Sequence, residues 1–403
     1  MFIDLSPLKK NREFRFLFSA QTISQLGSMM TYVAVPFQVY ELTKSSLWVG
    51  LISTIQLIPL LLAGLYGGAL ADAVDRKKLL VRSEWGLFFC SVFMTLNCFL
   101  PNPSLVLLMI LAALSSALTG IHRPAMDAIL PQIVSKAELT STSALGSLRY
   151  AVGAVAGPAI AGVLIAHVGL ASTYGIDALT FLASIFLILK MKAVPLPSSQ
   201  QKANLNSIGE GLRYAINQPI ILGTYLVDII AMTFAMPIAL FPQLADEFQQ
   251  KKELGLLYAA IPLGAGMVSL FSRPLDRISR QGAGVILSAT AWGIFISGMA
   301  FSPSLQWMAF FLFLAGAADG ISAIYRQTIW NEVIPTNIRG RLGSLNMLSY
   351  MVGPLIGNAR AGGMASASST SFSILSGGII CTVLCFASIW IFPKFWRYER
   401  SMN

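Results

Sequence analysis

The chain has 403 residues, of which 55% are hydrophobic and 11% are charged, and its mean hydropathy is +0.68. Soluble domains have about 25% charged residues, so the composition excludes a soluble globular protein and indicates a membrane protein with several spans. Twelve helices of about 20 residues would occupy roughly 250 residues, so we expect short loops and no soluble domain. The net charge of +10 requires no nucleic-acid partner, because basic loops face the anionic leaflet of a lipid bilayer.

The N-terminal stretch and the rare residue types narrow the class further. MFIDLSPLKKNREFR lacks the apolar core and cleavage site of a signal peptide, and its basic residues are typical of a cytoplasmic anchor. The four cysteines lie in apolar runs and the two histidines form no Cys/His cluster, so we expect buried thiols and no metal site. The sequence also has no glycine-rich phosphate loop. We therefore expect neither an enzyme nor a cofactor.

Twelve apolar segments follow one another along the chain. We expect spans at 16–41, 47–71, 79–100, 105–127, 143–166, 172–193, 219–242, 253–272, 283–301, 305–327, 342–366 and 370–392. The longest polar stretch, 194–218, is predicted to be a cytoplasmic linker with a short surface helix from Ser207 to Gln218. It divides the chain into an N-terminal six-helix half, 1–193, and a C-terminal six-helix half, 219–403.

The positive charges predict the orientation in the membrane. All but four of the 28 Lys and Arg residues fall on the side that holds both chain ends. The exceptions are Lys44, Lys251, Lys252 and Arg360. Because cytoplasmic loops carry the excess of Lys and Arg, both termini are predicted to lie in the cytoplasm.

A charged hairpin occurs twice. GGALADAVDRKKLL (67–80) follows the second predicted span, and SRPLDRISRQG (272–282) follows the eighth. Aligning the two pairs Asp72 with Asp276 and Arg76 with Arg280.

Further matches keep the same order along the chain. RPAMDAILP after the fourth span aligns with RQTIWNEVIP after the tenth, which pairs Asp127 with Glu332. Gly157-Pro158 and Gly353-Pro354 follow at corresponding places. The chain therefore consists of two related halves, the parallel repeat that many transporters contain.

The first hairpin resembles a motif of the major facilitator superfamily. GALADAVDRKK (68–78) is similar to the loop 2–3 motif G-x-L-a-D-r-x-G-R-K, and departs at Asp75, where the family usually has glycine. The matching positions are Gly68, Leu70, Asp72, Arg76 and Lys77. The resemblance implies an all-α membrane protein, with twelve transmembrane helices in two related six-helix halves, that works as a transporter.

The fifth span carries a second motif. GAVAGPAIAG resembles the g-x-x-x-G-P-x-x-G-G motif of antiporter-type, exporting members of the superfamily, with alanine in place of the first of the paired glycines. Gly153 and Gly157 lie on one helix face and allow a neighbouring helix to approach closely. Pro158 removes a backbone donor and bends the helix, and Gly162 completes the motif. A tight helix crossing without an exporter function is the alternative interpretation.

Further stretches resemble a subgroup. ISAIYRQTIWNEVIPTNIRGRLGSL (321–345) is similar to bacterial secretion-type facilitators, which include macrolide effluxers, and GLLYAAIPLGAG (255–266) resembles the siderophore exporters. The resemblance implies a functional monomer in the bacterial cytoplasmic (inner) membrane that exports a siderophore to the periplasm. The export would use proton antiport and alternating access. A multidrug or macrolide efflux pump of the same fold is the alternative, and a proton-coupled importer is disfavoured by the exporter motif.

Two carboxylates lie deep in spans that line the cavity in this superfamily. Asp228 lies nine residues from the inner end of the seventh span, about 14 Å deep, and Asp319 in the tenth is about as deep. Ionisable side chains inside spans are functional candidates, so we predict that both carry protons, with hydrogen bonding between helices as the alternative. Glu84 and Asp177 lie in peripheral spans and are expected to be structural.

The remaining substrate-cavity candidates are polar, basic or aromatic. Arg side chains bind carboxylates well, and iron-free siderophores often carry carboxylates or acidic catechols. The candidates are Gln21, Gln25, Gln56, Arg123, Arg149, Tyr258, Arg326 and Arg360.

The repeated charges are predicted to form a cytoplasmic latch. Its residues are Gly68, Asp72, Arg76 and Asp127 in the first half, and Asp276, Arg280 and Glu332 in the second. Because a transporter alternates between two global states, such clusters would close the cytoplasmic side in one state and part in the other. The alternative is that these charges only set the topology.

Overall fold

A computed structural model describes residues 4–135, 138–192, 213–272, 274–275, 278–335 and 339–400 of the chain. In these ranges the protein consists of helices, turns and loops, without a β-strand. The long helices are α1 (Arg12–Thr43), α2 (Ser46–Ala73), α3 (Arg76–Cys98), α4 (Leu105–Ile133), α5 (Leu139–His167), α6 (Leu170–Leu189), α7 (Pro219–Phe234), α8 (Leu254–Leu270), α9 (Gln281–Met299), α10 (Leu305–Val333), α11 (Arg339–Ala367) and α12 (Thr370–Ile391). Short helical pieces lie at Ser6–Lys10, 213–217, Ile238–Leu240, Phe241–Glu247, Lys251–Glu253 and Pro393–Trp396.

The long helices correspond to the predicted spans. Within the described part of the chain, 10 segments are long and apolar enough to cross a membrane, and they correspond to all or most of α2 to α10 and α12. The other two, α1 and α11, have 32 and 29 residues and carry more polar side chains. These include Gln21 and Gln25 in α1, and Asn358 and Arg360 in α11.

Two helices continue beyond the apolar segments that predicted them. α4 ends at Ile133 and α10 at Val333, past the predicted ends at 127 and 327. Hydropathy marks the part of a helix that suits lipid, whereas backbone hydrogen bonding continues into the polar region. The latch residues Asp127 and Glu332 therefore lie on helices and not in loops.

The seventh span is interrupted. α7 ends at Phe234, a 3₁₀ turn follows at Ile238–Leu240, and a short helix begins at Phe241. Pro237 stands directly before the turn, where it cannot donate a backbone hydrogen bond. Asn358 of α11 compensates for the interruption, because its Oδ1 accepts from the Ala239 amide at 3.1 Å.

Contacts divide the chain into two compact units. The first consists of Met1–Leu42 and Ile55–Ala203, and the second of Thr43–Thr54 and Asn204–Asn403. The division after Ala203 falls inside the predicted linker, most of which lies outside the described residues. The described end of its predicted surface helix, 213–217, packs Ala215 against Ile221 and Tyr225 of α7.

Each unit contains one close helix contact of the same kind. In the first unit, Gly157 of α5 lies against Met29 of α1 so closely that no Cβ would fit. In the second, a Cβ at Gly353 of α11 would lie 2.8 Å from the Met232 Cβ of α7. The two Gly-Pro pairs matched in the sequence thus occupy equivalent contacts, α5 on α1 and α11 on α7.

Candidate functional site

Two carboxylates and one guanidinium meet inside the second unit. The Arg326 Nη1 of α10 forms an ion pair with Asp228 of α7, and its Nη2 lies 3.4 Å from Asp319 Oδ1. Asp319 and Arg326 are seven residues apart, two helical turns, and so share one face of α10. Asp228 and Arg326 are only 7% and 8% exposed. The structure thus brings together three residues that were predicted separately, and we call them the acidic triad.

The charge balance of the acidic triad is its main chemical property. Two carboxylates share one guanidinium, so the fully ionised triad carries one excess negative charge. A buried excess charge is costly, and binding of one proton to either carboxyl group removes it. Arg326 Nε is buried and has no acceptor among the described residues. The triad can therefore exchange one proton, being neutral with the proton bound and singly negative without it.

Aromatic contacts hold the two helices that carry the acidic triad. Trp330, one turn beyond Arg326 on α10, donates from Nε1 to the Thr224 hydroxyl of α7 at 2.8 Å. Its ring lies 5.3 Å from that of Tyr225. Since Thr224 lies one turn before Asp228, these contacts fix the relative position of α7 and α10 next to the ion pair.

Two other predicted cavity residues of the second unit have neighbours within that unit. Tyr258 of α8 is 4% exposed, and its ring contacts the edge of Phe241 at 5.0 Å between centroids. Arg360 of α11 donates from Nη2 to the Ser373 carbonyl of α12 at 3.2 Å. Its Nε and Nη1 are buried without an acceptor among the described residues. Arg360 thus keeps unused donors, whereas the Tyr258 ring is packed.

In the first unit, two arginines and a histidine surround the carboxylate of Asp127. Asp127 of α4 interacts electrostatically with Arg123 and His122 of the same helix and with Arg149 of α5. Arg149 Nε is buried without an acceptor in the described part of the chain. The two predicted cavity arginines of this unit are therefore neighbours of one carboxylate, and Arg149 retains a donor for an anionic ligand.

The three predicted glutamines occupy different surroundings. Gln21 of α1 is 5% exposed and donates to Glu84 of α3 at 3.2 Å. The Gln25 side chain lies against Gly153 of α5. Gln56 of α2 is half-buried, and its backbone carbonyl accepts from Ser116 of α4. Gln21 is therefore hydrogen-bonded to Glu84, a buried carboxylate that was expected to be structural.

The exporter-type motif of the fifth span lies in a continuous helix. Gly153 and Gly157 face α1, as the spacing predicts, and Gly162 is buried further along α5. Pro158 lies inside α5 and does not end it. The close approach of α1 and α5 is thus present, while an exporter role of the motif stays a prediction.

The first half of the predicted latch is partly described. Arg76 begins α3 and donates from Nη1 to the carbonyl of Ala128, the residue after Asp127. The surroundings of Gly68 and the side chain of Asp72, near the end of α2, lie outside the described part of the structure. Asp75, where the family motif has glycine, caps α3 by accepting from the amides of Lys77 and Lys78, at 3.0 and 3.1 Å. The departure from the motif therefore has a local structural role.

In the second half, the described latch residues contact the C-terminal segment 393–400. Arg280 Nε lies 2.9 Å from Glu399 Oε1. Glu332 accepts from the Tyr398 hydroxyl at 2.7 Å and pairs with Arg400 Nε at 3.1 Å. Asp276 lies outside the described residues, so the predicted cluster of the second half stays a prediction.

Burial and charge act together on one member of this segment. Burial raises the pKa of Tyr398, and the hydrogen bond to Glu332 raises it further. The phenol therefore remains protonated and continues to donate to Glu332 at physiological pH.

The two peripheral carboxylates differ in their partners. Asp177 of α6 accepts from the Thr31 and Ser91 hydroxyls at 2.6 and 2.8 Å. Glu84 of α3 instead contacts His122 of α4 at 3.3 Å. Sequence reasoning did not predict the Glu84–His122 contact. A signal was available, because the chain has only two histidines and His122 lies within a predicted span.

The chain is similar to known transporters in sequence and in fold. The sequence profile of the family described as "Transmembrane secretion effector" matches residues 3–398. The enterobactin exporters EntS of Shigella boydii serotype 18 and Escherichia coli O81 are each 32% identical over 391 residues, which is 94% of this chain and 93% of the relative.

Solved structures show the same fold at low sequence identity. The nucleoside transporter NupG matches with a TM-score of 0.76 and 12% identity, over 94% of this chain and 99% of that one. A bacterial homologue of the iron transporter ferroportin, in an inward-facing state, matches with a TM-score of 0.73 and 17% identity, over 96% and 98%. These likenesses agree with the predicted arrangement of twelve transmembrane helices in two six-helix halves.

Proposed function

Because the chain belongs to the transmembrane secretion effector family of the major facilitator superfamily, we propose that it exports a siderophore from the cytoplasm to the periplasm by proton antiport. The protein is a multi-pass membrane transporter and not an enzyme. The observation that carries the substrate class is the similarity to enterobactin exporters over almost the full length of both chains. The observation that supports coupling to protons is the excess carboxylate of the acidic triad.

The proposed substrate is an acidic, iron-free siderophore. Arg149 of the first unit and Arg360 of the second each retain buried guanidinium donors without acceptors among the described residues. Guanidinium groups bind carboxylates and other planar anions through paired hydrogen bonds. Each arginine is therefore proposed to contact an anionic group of the substrate from within its own unit, whereas the packed Tyr258 ring is not proposed as a contact.

The acidic triad is proposed to carry the coupled proton. With one carboxyl group protonated, the triad is neutral and suits a buried position. In antiport the proton and the substrate are bound at different stages of the cycle. The triad would bind a proton from the periplasm once the substrate has left, and release it to the cytoplasm before the next substrate binds. Alternating access would then link each proton exchange to one transport step.

A secretion experiment tests the substrate. A deletion strain of the host bacterium, grown in iron-starved medium, is expected to secrete less siderophore and to accumulate it inside the cell, and the wild-type gene is expected to restore secretion. Normal secretion without accumulation would overturn the proposal. Macrolide and dye susceptibility of the same strain tests the alternative, because a drug pump would change resistance and leave siderophore secretion intact.

A vesicle experiment tests the coupling. Inside-out vesicles with an imposed pH gradient are expected to take up iron-free enterobactin, the substrate named for the similar exporters. Asp228→Asn and Asp319→Asn keep the side-chain shape but cannot release a proton, so gradient-driven uptake should fall to that of vesicles without the protein.

Asp246→Asn serves as the control for that experiment. This carboxylate pairs with Lys44 at 3.8 Å and Lys251 at 3.5 Å, outside the acidic triad. Its variant should transport like the wild type. Full gradient-driven uptake by both triad variants would contradict a coupling role for either carboxylate.

A further inference from the structure

A second buried pair of titratable groups lies in the first unit, apart from the acidic triad. Glu84 of α3 is completely buried. Its Oε1 lies 3.3 Å from His122 Nε2 of α4 and accepts from Gln21 Nε2 of α1 at 3.2 Å. Its Oε2 is buried and has no donor among the described residues. The His122 side chain is 12% exposed.

We propose that Glu84 and His122 form a second proton-binding site, which the first unit loads and empties during transport. The inference rests on the proposed proton antiport and adds to it a site in the other unit. The site takes one proton, which the carboxyl group and the imidazole share. Gln21 orients the carboxyl group and is a positioning residue.

The buried position allows one protonation state and opposes the others. With one proton, the pair is either a neutral acid beside a neutral imidazole or an ion pair, and both have no net charge. Without that proton, an ionised Glu84 is a buried carboxylate whose described partners, the Gln21 amide and the imidazole, are both neutral. Since an uncompensated buried charge is strongly unfavourable, loss of the proton requires water or a rearrangement of the helices. Proton release is thereby coupled to a change of conformation.

The unpaired carboxylate oxygen supports this assignment. Buried polar atoms in proteins are almost always hydrogen-bonded, so one without a partner requires an explanation. An ionised Glu84 would have four acceptor positions and only one neutral donor and one imidazole to fill them. A proton on the carboxyl group removes the buried charge, which is the costlier part of this deficit.

A second buried carboxylate of the unit, Asp177 of α6, has different partners. Its Oδ2 accepts from the hydroxyls of Thr31 and Ser91, its buried Oδ1 has no donor among the described residues, and its described contacts include no basic side chain. Without a titratable partner it has no second group with which to share a proton. Glu84 differs from Asp177 in having such a partner, the imidazole of His122.

Charged side chains connect the Glu84–His122 pair to Arg149, one of the two arginines proposed to contact the substrate. On α4, Arg123 and Asp127 neighbour His122, and Asp127 also interacts with Arg149 of α5. On α6, Asp177 bonds to Ser91 two turns along α3 from Glu84.

The helix α1 contacts the pair through the neutral amide of Gln21. An anionic substrate bound to Arg149 would compete with Asp127 and so change the field at His122. The pair is therefore placed to respond to substrate through Asp127.

Infrared difference spectroscopy of the purified full-length protein in lipid tests the site without any substrate. Stepping the pH should produce a carboxylic C=O band that Glu84→Gln removes and that Asp228→Asn and Asp177→Asn retain. His122→Gln should change the pH dependence of this band, because it removes the group with which Glu84 shares the proton.

The result that would overturn the proposal is a wild-type titration in Glu84→Gln, with every pH-dependent carboxyl band retained. The Gln replacement keeps the shape of the side chain, and a wild-type unfolding temperature for His122→Gln would show that the site can be altered without unfolding. Because the spectra need no siderophore, they remain decisive if the secretion experiment fails. Vesicle transport by His122→Gln should in addition shift its pH profile, which a merely structural histidine would not do.

Discussion

The C-terminal segment 393–400 is held mainly by one aromatic side chain, and its removal is the most quantitative test of the structure. Phe395 is 0% exposed. A methyl group at Gly223 of α7 would lie 2.6 Å from its ring, so the ring fills the space that glycine leaves. At Gly282 of α9 the Phe395 carbonyl occupies the corresponding space. We predict that Phe395→Ala releases the segment from α7 and α9.

The magnitude follows from burial and not from charge. Truncation of a buried Phe to Ala costs about 3–5 kcal/mol through lost transfer energy and the cavity that remains. The Arg280 and Glu399 side chains are 69% and 53% exposed, so their ion pair contributes about 0–1 kcal/mol. Since 1.4 kcal/mol is a factor of ten, Phe395→Ala should increase local opening of the segment by about a hundredfold or more.

Hydrogen exchange measures this opening. In the closed segment the Arg400 amide donates to the Ser279 carbonyl at 2.8 Å, so it should exchange slowly in the wild type and quickly in Phe395→Ala. Lys394→Ala is the matched control, because Lys394 is exposed and its neighbour Phe395 is retained. Equal protection in Phe395→Ala and wild type would refute the reasoning that apolar burial holds the segment.

Three smaller perturbations test local features. Gly157→Ala should destabilise the protein, because its Cβ would collide with Met29. Gly146→Ala has open space and should stabilise α5 by up to about 1 kcal/mol. Unfolding midpoints in detergent measure both effects, and equal effects would contradict the close contact. Asp75→Ala removes the cap of α3 and should cost about 1 kcal/mol, whereas Asp75→Asn should retain most of it; equal losses would argue against a capping role. Asp72→Asn should bias the transporter toward the inward-facing state, measured as greater cysteine accessibility from the cytoplasm, and unchanged accessibility would leave the charged hairpin as a topology signal.

The helices and their repetition were predictable from the sequence because lipid imposes a strong constraint on composition. About 20 apolar residues are needed for each crossing, and such runs are visible without knowledge of their partners. The glycine spacing in the fifth span also predicted the close approach of a neighbouring helix, since only small residues allow it. The structure shows that Gly157 makes this contact with α1 and that the matching Gly353 makes it with α7.

The partners of buried polar groups were not predictable in the same way. Depth along a helix singled out Asp228 and Asp319, but Arg326 could be placed between them only once the rotation of α7 and α10 was known. The same limit applies to Glu84 and His122, which lie on different helices. A partner across helices depends on helix rotation, and a single sequence contains no direct measure of that angle.

The interruption after α7 was missed although its signal was present. Pro237 stands within a run that is apolar enough to be taken as one continuous span, and hydropathy does not register a missing amide donor. The compensating Asn358 lies 119 residues away and could not be assigned to the interruption before the structure was known.

That distance along the chain has a consequence for biogenesis. The Ala239 amide and its acceptor on Asn358 are 119 residues apart, so the first is synthesised about 6 to 24 s before the second at 5–20 residues per second. During that interval the amide would be unsatisfied in hydrocarbon, at a cost of several kcal/mol. The turn after α7 should therefore wait at the membrane interface or within the insertion machinery until the eleventh helix emerges. The ribosome thus has to synthesise most of the C-terminal six-helix half before the turn after α7 can complete its hydrogen bonding.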